Sequence, residues 1–593
     1  MYTSTYNSAG AHTFTKGIVR SAYIVAVGAA AVEHLQTRIF YEGKYPTAPL
    51  TDASGPWRIV ARVHLLAPAA SSGTVQVSGA WGGASASVPA ALVAGNNTVE
   101  LTLSVPVGGV RLWWPNELGE QVRYNLTATW TPAAGPPLAT SRAIGFRFFA
   151  LVTGNDTDPS TLAGVDGSDD FTMRWNVNGA KVWSRGANLI PMDEMEGRLS
   201  VDAHVAMLRS AAAAHYNTLR VWGGGSFYND VVYDTADELG LMMYHDVMYG
   251  EPWFGGNSGV PTQNAMQDAE MRYQLRRLSH HPSIVMLDAC NECSAKDLWF
   301  SFVVPTIADE DPSRPLWPAC PSAGFKGGVD RLTGLVNGRP LVLKTIAGSA
   351  FAPPPAPARA PLATCTPYAD ADYAHGAIWV VAPAADLGAC CDACVAQAGC
   401  VAGVLFGGVC YMKNATMVAQ PSWAPGLASA WVPGQTPVPP PSAGCNTGLT
   451  LETHGYYQHG EGFKTVNSGG DLQPFSPNLP PALDPSFDLG AACPGTFASE
   501  FGASAWSSFE SVSPTLEPAH WSAHADVMYE RNYALDNFVT VYFDVPWPAF
   551  FTNSSLQAQL YLALIAQGLL VKSDISSRRA RNSFGTVTWQ LNE

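Results

Sequence analysis

Eight short strand-like runs, separated by helical and loop segments, constrain the fold of this chain more than any other feature. The runs span residues 182–190, 218–222, 241–247, 284–289, 316–319, 449–456, 496–499 and 585–591. Between two of them, Met271, Leu275 and Leu278 recur at the spacing of one helix face. Strands that alternate with helices are typical of a parallel sheet, and eight such units predict a (β/α)8 TIM barrel.

The first part of the chain has a different pattern. Residues 57–65 and 97–103 alternate between apolar and polar side chains, and turn residues recur at short intervals. This period of two predicts an antiparallel β-sandwich, which we expect to extend from residue 21 to about residue 148. With 593 residues the chain is also too long for a single core. The predicted fold is therefore multidomain, with a β-sandwich that precedes the barrel.

A cysteine-rich segment interrupts the barrel pattern between its fifth and sixth runs. Proline-rich stretches at 352–357 and 437–441 flank this segment and are expected to be stiff, extended spacers. Seven of the eleven cysteines lie here, namely Cys365, Cys390, Cys391, Cys394, Cys400, Cys410 and Cys445. Their density predicts a disulfide-rich insert. The alternative, a zinc site at Cys391 and Cys394, is less favoured because no second pair has a matching spacing.

Charge and hydropathy exclude several classes of partner. The formal net charge is −15 and no basic run is present, which argues against nucleic acid as a partner. The longest apolar run, 22–32, is too short to cross a bilayer, so we expect no membrane span. The first residues lack the basic and apolar regions of a signal peptide. Together with the cysteines, this leads us to expect a truncated chain from the secretory pathway, a lysosome or vacuole, or the extracellular space.

Two glutamates lie where a barrel enzyme would carry its chemistry. Glu292 follows the fourth strand-like run, and Glu500 follows the seventh. The carboxyl ends of barrel strands form the face that holds the active site. Cleavage of a glycosidic bond requires two carboxyl groups, one to protonate the leaving oxygen and one to attack the sugar. The sequence therefore predicts a glycoside hydrolase.

An ordered series of short motifs resembles glycoside hydrolase family 2, and most closely its β-mannosidase branch. The motifs are Leu-Trp-Trp-Pro at 112–115, Ile-Gly-Phe-Arg at 144–147, Arg-Gly-Ala-Asn-Leu-Ile-Pro at 185–191, Arg-Val-Trp-Gly-Gly-Gly at 220–225, His-His-Pro-Ser-Ile at 280–284, Asn-Glu at 291–292, Ser-Glu-Phe-Gly at 499–502 and Trp-Gln-Leu-Asn at 589–592. Within the insert, the cysteines and Cys-Tyr-Met-Lys at 410–413 resemble a PAN/apple module.

The resemblance implies a division into domains. Residues 1–20 would be the remnant of an N-terminal jelly-roll sugar-binding domain, and 21–150 an immunoglobulin-like β-sandwich. The catalytic TIM barrel would contribute strands one to five from 160–345 and strands six to eight from 447–593. The PAN/apple-like insert would occupy 346–446. Because the family continues at both ends, we expect this chain to be truncated at both ends.

The resemblance also implies roles for site residues. Glu292 would be the general acid/base and Glu500 the nucleophile of a retaining double displacement that removes terminal β-D-mannose. Asn291 would hydrogen-bond to the sugar 2-hydroxyl, with a structural role as a strand-end turn residue as the less favoured alternative. Tyr456 would hydrogen-bond to the nucleophile or the substrate. Trp222 and Trp589 would form walls of the sugar subsite, with core packing as the alternative.

Other functions remain open at this stage. The mechanism requires no cofactor and no metal, and the substrate would be an oligosaccharide or an N-glycan. An exo-β-glucosaminidase or an endo-β-mannosidase of the same family is the alternative among enzymes. A catalytically impaired carbohydrate-binding protein is the alternative from another class. The sequence does not define the oligomeric state.

Overall fold

The structure is a computed structural model. It describes residues 22–152, 173–193, 196–250, 264–292, 302–317, 320, 331–336, 339–344, 365–373, 380–384, 387–406, 409–418, 421–432, 452–458, 497–503, 505–523, 525, 539, 542–543, 545–546, 549–580 and 583–592.

Two antiparallel sheets, called the antiparallel layer below, form the N-terminal part of the described structure. The strands are β1 (Ala31–Tyr41), β2 (Trp57–Ala67), β3 (Ser71–Gly79), β4 (Ser85–Leu92), β5 (Gly95–Val105), β6 (Tyr124–Pro132) and β7 (Leu138–Ile144). One sheet has the order β1-β2-β5 and the other β4-β3-β6-β7. Ile59 and Val63 of the first sheet and Val75 and Trp130 of the second are buried in one shared apolar core. The two-residue period of the sequence thus produced sheets with one buried face.

A small antiparallel sheet follows. Its strands are β8 (Phe149–Val152), β9 (Arg174–Val177) and β10 (Ala180–Val182), in the order β10-β9-β8. Phe149 and Trp175 of this sheet are buried in the core of the parallel sheet described next. Trp175 packs against Phe497 with ring centroids 5.4 Å apart. The small sheet therefore covers one part of that core.

The eight predicted runs are all strands of one parallel sheet. They are β11 (Ser184–Leu189), β12 (Thr218–Val221), β13 (Met242–Asp246), β14 (Ile284–Asp288), β15 (Leu316–Trp317), β23 (Glu452–Gln458), β24 (Phe497–Ala503) and β25 (Gly585–Thr588). Their order is β15-β14-β13-β12-β11-β25-β24-β23, so the first and last strands, β11 and β25, pair with each other, and β15 and β23 form the two edges. The sheet is curled, since Trp317 on one edge strand donates its indole N–H to Glu452 on the other at 2.7 Å.

The helices that accompany this sheet are α1 (Val201–Ala213), α2 (Asp230–Leu239), α3 (Ala265–Leu278), α4 (Val304–Glu310), α7 (Phe509–Val512), α8 (Ala549–Asn553) and α9 (Leu556–Ala580). The predicted face of α3, Met271, Leu275 and Leu278, is buried against the sheet. Its N-cap, Asn264, accepts from the N–H groups of Met266 and Gln267, which satisfies two orphan donors of the first turn. No helix within the described ranges is both long enough and apolar enough to cross a bilayer.

The cysteine-rich insert is stapled by disulfides. Its elements are β18 (Thr366–Tyr373), β19 (Val380–Pro383), α5 (Leu387–Ala396), β20 (Cys400–Phe406), β21 (Val409–Asn414), α6 (Ala415–Val418) and β22 (Pro421–Trp431), preceded by the hairpin β16 (Arg331–Val336) and β17 (Arg339–Lys344). The strand order is β18-β22-β20-β21-β19. Disulfides join Cys365 to Cys391, Cys390 to Cys410, and Cys394 to Cys400. The disulfide prediction is confirmed for these six residues, whereas Cys445 lies outside the described residues.

A buried polar network joins strand β1 to helices α3 and α4. Glu310, which is 1% exposed, accepts from Arg272 and Arg276 at 2.8 Å each. Gln36 donates to the Glu310 carboxylate at 3.0 Å and to its carbonyl at 2.6 Å. Burial alone would raise the pKa of Glu310, but the hydrogen bonds from Arg276, Arg272 and Gln36 outweigh burial and lower that pKa to about 2. This network fixes the antiparallel layer against the parallel sheet.

Candidate active site

The two predicted glutamates lie close together, Glu292 beyond the carboxyl end of β14 and Glu500 on β24. Glu292 follows Asp288, the last residue of β14, and Glu500 lies within β24. A carboxylate oxygen of each and a ring nitrogen of His454 all lie within 4.8 Å of one another. Both glutamates are nearly buried, with 9% of Glu292 and 4% of Glu500 exposed. The curl of the sheet therefore brings together carboxylates that are 208 positions apart in the sequence.

The backbone at Glu292 has an unusual conformation. Its φ is 49°, in the left-handed region that residues other than glycine rarely adopt. Its N–H donates to the carbonyl of Cys320 at 2.7 Å, and the preceding residue, Asn291, donates to the carbonyl of Tyr249 at 2.9 Å. Two neighbouring strand ends thus hold the chain at Glu292 in a conformation that would otherwise be costly. Such local strain occurs most often at functional sites.

Arg220, in the middle of strand β12, organises the site. Its guanidinium is fully buried and donates to Asp246 at 2.6 Å, to Asn291 at 2.6 Å and to Asn188 at 2.9 Å. It also forms an ion pair with Glu500. Burial alone would lower the pKa of Arg220, but Asp246, Cys320 and Glu500 outweigh burial and raise that pKa well above its usual value. A permanent positive charge therefore lies beside Glu500 and favours its ionised form.

His454 lies between the two carboxylates. Its Nδ1 is 2.7 Å from Oε1 of Glu292 and 3.6 Å from Oε2 of Glu500. The other ring nitrogen, Nε2, is 3.0 Å from the thiol sulfur of Cys320. Burial, and then the positive charge of Arg220, lower the pKa of His454 well below its usual value. The imidazole is therefore neutral at physiological pH and has a single N–H, on either Nδ1 or Nε2.

A second buried polar group lies beneath His454. Its centre is Glu452, at the start of strand β23, whose Oε1 accepts from Cys320 at 3.2 Å and from Tyr244 at 3.1 Å. Its Oε2 accepts from Trp317 at 2.7 Å. Burial raises the pKa of Glu452, while the hydrogen bonds from Trp317 and Cys320 oppose burial. The hydroxyl of Tyr244 has a single proton and also lies 3.0 Å from Oδ2 of Asp288, so this group extends to the strand that precedes Glu292.

The remaining predicted site residues lie around this centre. Asn291 is fully buried, and its side-chain oxygen accepts from Arg220. The rings of Trp222 and Trp589 meet edge to face with centroids 5.2 Å apart, next to the strand ends. Tyr456 belongs to strand β23, but its side chain lies outside the described residues. The structure thus brings Glu292, Glu500 and Asn291 into one hydrogen-bonded group and places the two tryptophans as a pair.

Two groups in the described part of the chain have donor atoms close enough to hold a metal ion. One is Glu292, His454 and Glu500, and the other is Asp234, His280 and His281. In the first group the donor atoms of the two glutamates contact Arg220 and His454. In the second, the Nδ1 of His281 is 2.8 Å from Asp237, which competes for that nitrogen. Neither arrangement assigns a metal.

The sequence interpretation assigned no site role to four residues that the structure places at the centre of the site: Arg220, Asp246, His454 and Cys320. A signal for two of them is present, because Arg220 lies between the apolar residues Leu219 and Val221 and Asp246 ends an apolar run. A charged residue inside a fully buried strand is almost always paired, which marks it as part of a polar site. His454 and Cys320 have no comparable signal, because only the curl of the sheet makes them neighbours.

A curled parallel sheet whose strand ends hold two close carboxylates is the arrangement found in barrel glycoside hydrolases. Comparison with known proteins agrees with this class. The chain is 28% identical over 301 residues to β-mannosidase A of Neosartorya fischeri. This alignment covers 50% of this chain and 31% of that protein. It is 30% identical over 241 residues to the β-mannosidase of Rattus norvegicus. This second alignment covers 37% of this chain and 26% of that protein.

A solved structure gives the same result for the fold. The β-D-mannosidase of Dictyoglomus thermophilum matches with a TM-score of 0.57 and 17% identity, over 96% of this chain and 52% of that one. No family model matches the chain. The resemblance to the β-mannosidase branch of glycoside hydrolase family 2 is confirmed by these relatives. The aligned part is about a third or less of the length of the curated relatives named above.

Proposed function

We propose that this chain carries the catalytic centre of a retaining β-mannosidase, which removes terminal β-D-mannose from oligosaccharides or N-glycans. The observation that carries the proposal is the separation of the carboxylates of Glu292 and Glu500, whose nearest oxygens lie within 4.8 Å. In retaining enzymes the two carboxyl groups are about 5–5.5 Å apart, whereas inverting enzymes need about 6.5–9.5 Å to admit a water. The close approach favours a nucleophile over a water-activating base.

The surroundings of each carboxylate support different roles. Glu500 contacts the guanidinium of Arg220, a group that stays charged, so Glu500 is kept ionised as a nucleophile must be. Glu292 contacts a neutral imidazole instead of a cation. Glu292 protonates the leaving oxygen while Glu500 attacks the anomeric carbon. After the leaving group departs, Glu292 takes a proton from the water that releases the sugar from Glu500.

The other predicted residues serve the substrate. Asn291 adjoins Glu292 and hydrogen-bonds to the sugar 2-hydroxyl, with Arg220 holding its side-chain oxygen and so fixing the orientation of its amide. Trp222 and Trp589 form an aromatic corner against which a sugar ring can stack. Tyr456 hydrogen-bonds to the nucleophile or to the substrate from strand β23. None of these roles requires a metal or a cofactor.

The finer assignment of the domains belongs to the same proposal. We assign the curled sheet to a catalytic (β/α)8 barrel, divided between 160–345 and 447–593. The antiparallel layer over 21–150 is the immunoglobulin-like sandwich, and the segment 346–446 is a PAN/apple-like insert. The common core of the two antiparallel sheets and the three disulfides support these assignments. Those disulfides also support an oxidising compartment of the secretory pathway.

The test is hydrolysis of p-nitrophenyl β-mannoside, with the β-glucosaminide and the β-galactoside beside it, by the chain and its Glu500→Ala variant. We expect turnover of the mannoside, release of β-mannose as the first product by NMR, and loss of turnover in the variant. Added azide should restore turnover in Glu500→Ala and give α-mannosyl azide, because azide occupies the space of the missing carboxylate and attacks from the same face.

Three outcomes would contradict the proposal. Release of α-mannose as the first product would mean inversion. A strong preference for the β-glucosaminide would favour the exo-β-glucosaminidase. No turnover of any glycoside by folded protein that still binds mannose would favour a carbohydrate-binding protein. Circular dichroism and the elution volume on size exclusion establish that the protein is folded in each case.

A further inference from the structure

The position of His454 is not explained by a double displacement that needs only two carboxylates. Its Nδ1 contacts Oε1 of Glu292 at 2.7 Å, and its Nε2 contacts the sulfur of Cys320 at 3.0 Å. The sulfur in turn lies 3.2 Å from Oε1 of Glu452. A continuous chain of four groups therefore connects the proposed acid to a second, fully buried carboxylate.

This chain can be ordered in only two directions, because each inner member has one proton to donate. A neutral imidazole has one N–H, and a thiol has one S–H. In the first direction, Glu292 donates to Nδ1 and Nε2 donates to the sulfur. The thiol then donates to Glu452, either directly or through the hydroxyl of Ser499, which lies 3.1 Å from the sulfur and itself hydrogen-bonds to Glu452. In the second direction every one of these hydrogen bonds is reversed. The protonation state of Glu292 in the free protein is thus tied to that of Glu452.

The surroundings of Glu452 decide between the two directions. Its Oε2 faces the indole N–H of Trp317, which can only donate. Its Oε1 faces the hydroxyl of Tyr244 and the thiol of Cys320. Burial raises the pKa of Glu452, and the hydrogen bonds from Trp317 and Cys320 limit that rise because they favour the ionised carboxylate. An ionised Glu452 accepts from Cys320, and this requires the first direction.

We propose that His454 is a positioning residue: in the free protein its Nδ1 accepts a hydrogen bond from the protonated carboxyl group of Glu292. Cys320 fixes the required tautomer by accepting a hydrogen bond from Nε2–H. This inference rests on the proposed role of Glu292 as the acid. The hydrogen bond from Glu292 to His454 stabilises the protonated acid before substrate binds. When the glycosidic oxygen arrives, it replaces Nδ1 as the acceptor. The proton then passes to that oxygen, which also receives the electron pair of the breaking C–O bond.

Several other charged or titratable groups face this chain. Arg220 and Asp246 lie on strands β12 and β13, and Glu500 lies on β24, with its Oε2 3.6 Å from Nδ1 of His454. Asp288 adjoins the group through Tyr244. Arg220 is the cation among them, and its charge disfavours a protonated His454 in every variant that retains it. Burial first and the charge of Arg220 second lower the pKa of His454 and keep its imidazole neutral. The two cysteine variants retain Arg220.

The test compares the wild-type chain with three variants, His454→Ala, Cys320→Ala and Cys320→Ser. For each we measure the pH dependence of kcat/KM and of kcat with a β-mannobiose as substrate. This substrate has a poor leaving group, so its cleavage requires the general acid. The alkaline limb of kcat/KM reports the free protein. In His454→Ala we expect this limb to move about one pH unit to lower pH, since one hydrogen bond to the protonated acid is lost. The limb of kcat should move less, because substrate has replaced the imidazole.

The two cysteine variants test the tautomer without removing the imidazole. Cys320→Ala should move the limb in the same direction by a smaller amount. In Cys320→Ser, a hydroxyl can accept from Nε2–H and donate to Glu452, so the limb should stay at the wild-type pH. The backbone contact from Glu292 to the carbonyl of residue 320 survives both changes. If His454→Ala does not fold, this pair of variants decides the question.

A limb that stays in place or moves to higher pH in both His454→Ala and Cys320→Ala would overturn the proposal. An independent readout is the nitrogen NMR spectrum of protein with 15N-labelled histidine, in which the His454 signals are those absent from His454→Ala. We expect a proton on Nε2 and none on Nδ1, and the reverse would overturn the proposal. This spectrum needs no turnover, so a protein without glycosidase activity would contradict the proposed function and still decide the tautomer.

Discussion

Arg220 and Glu500 form a buried ion pair at the centre of the curled sheet, although 280 residues separate them in the chain. The same guanidinium reaches Asp246, Asn188 and Asn291, so four strand ends converge on one side chain. Such convergence requires the planar, branched donor set of arginine. The nucleophile proposed here is consequently oriented by the same group that keeps it ionised.

Replacement of Arg220 by lysine should reduce activity far more than it reduces stability. A lysine keeps the positive charge but cannot reach four acceptors at once, so Glu500 and Asn291 lose their fixed orientation. We expect kcat/KM for a β-mannoside to fall by at least about a hundredfold, as when one preorganised charge-stabilising donor is lost. The matched control is Arg62→Lys on strand β2, whose pair with Glu100 is exposed and is worth about 0–1 kcal/mol. Equal losses in both variants would contradict the role of Arg220.

Replacement of Glu292 by alanine should reduce activity in proportion to the need for a proton. With a β-mannobiose, kcat/KM should fall by about 10²–10⁴, the usual contribution of a general acid. With 2,4-dinitrophenyl β-mannoside, whose leaving group needs no proton, formation of the glycosyl-enzyme should be nearly unaffected. Burst kinetics on the two substrates provide the measurement. A Glu292→Ala variant that lost both activities equally would not be an acid/base variant.

The carboxylate of Glu310 should make stability depend on pH in the acid range. Its pKa is about 2 in the folded chain and 4.5 without the surrounding structure, so folding favours its ionised form. The stabilisation is therefore complete above about pH 4.5 and is lost as the pH falls towards 2, with a total of about 3 kcal/mol. Urea unfolding from pH 7 to pH 2 measures the slope. Glu310→Gln should flatten it, whereas Glu100→Gln, which alters an exposed pair, should leave it unchanged.

A methyl group at Gly223 should disturb the site without changing any of its polar residues. A Cβ there would lie 2.4 Å from the carbonyl oxygen of Tyr249 and 3.3 Å from the Cβ atoms of Asn291 and Asp246. Because the first contact is with backbone, the strand end that supports Asn291 must shift, and we expect activity in Gly223→Ala to fall at least about tenfold. Gly197→Ala is the control, since a Cβ at that position meets nothing within 4 Å. Activity in Gly223→Ala equal to that of the control would mean that the strand end yields freely.

The sequence determined the type of each element and its order. Apolar runs such as 284–289 and 585–591 became strands, because buried parallel strands need side chains that are apolar on both faces. The alternation at 57–65 became an antiparallel strand with one face in a core. Glu292 and Glu500 were recognisable as candidates because each follows or ends such a run, and the ends of parallel strands meet at one edge of a sheet.

Only the tertiary structure decided which polar groups meet. The contacts of His454 with Glu292 and of Cys320 with Glu452 join residues 162 and 132 positions apart, and no local pattern encodes them. The hydrogen-bond direction that we propose from Glu292 to Glu452 likewise depends on the packed site, because it requires the donors that surround Glu452. Local sequence fixes periodicity and strand ends, whereas the curl of the sheet sets the distances on which acid strength and nucleophile charge depend.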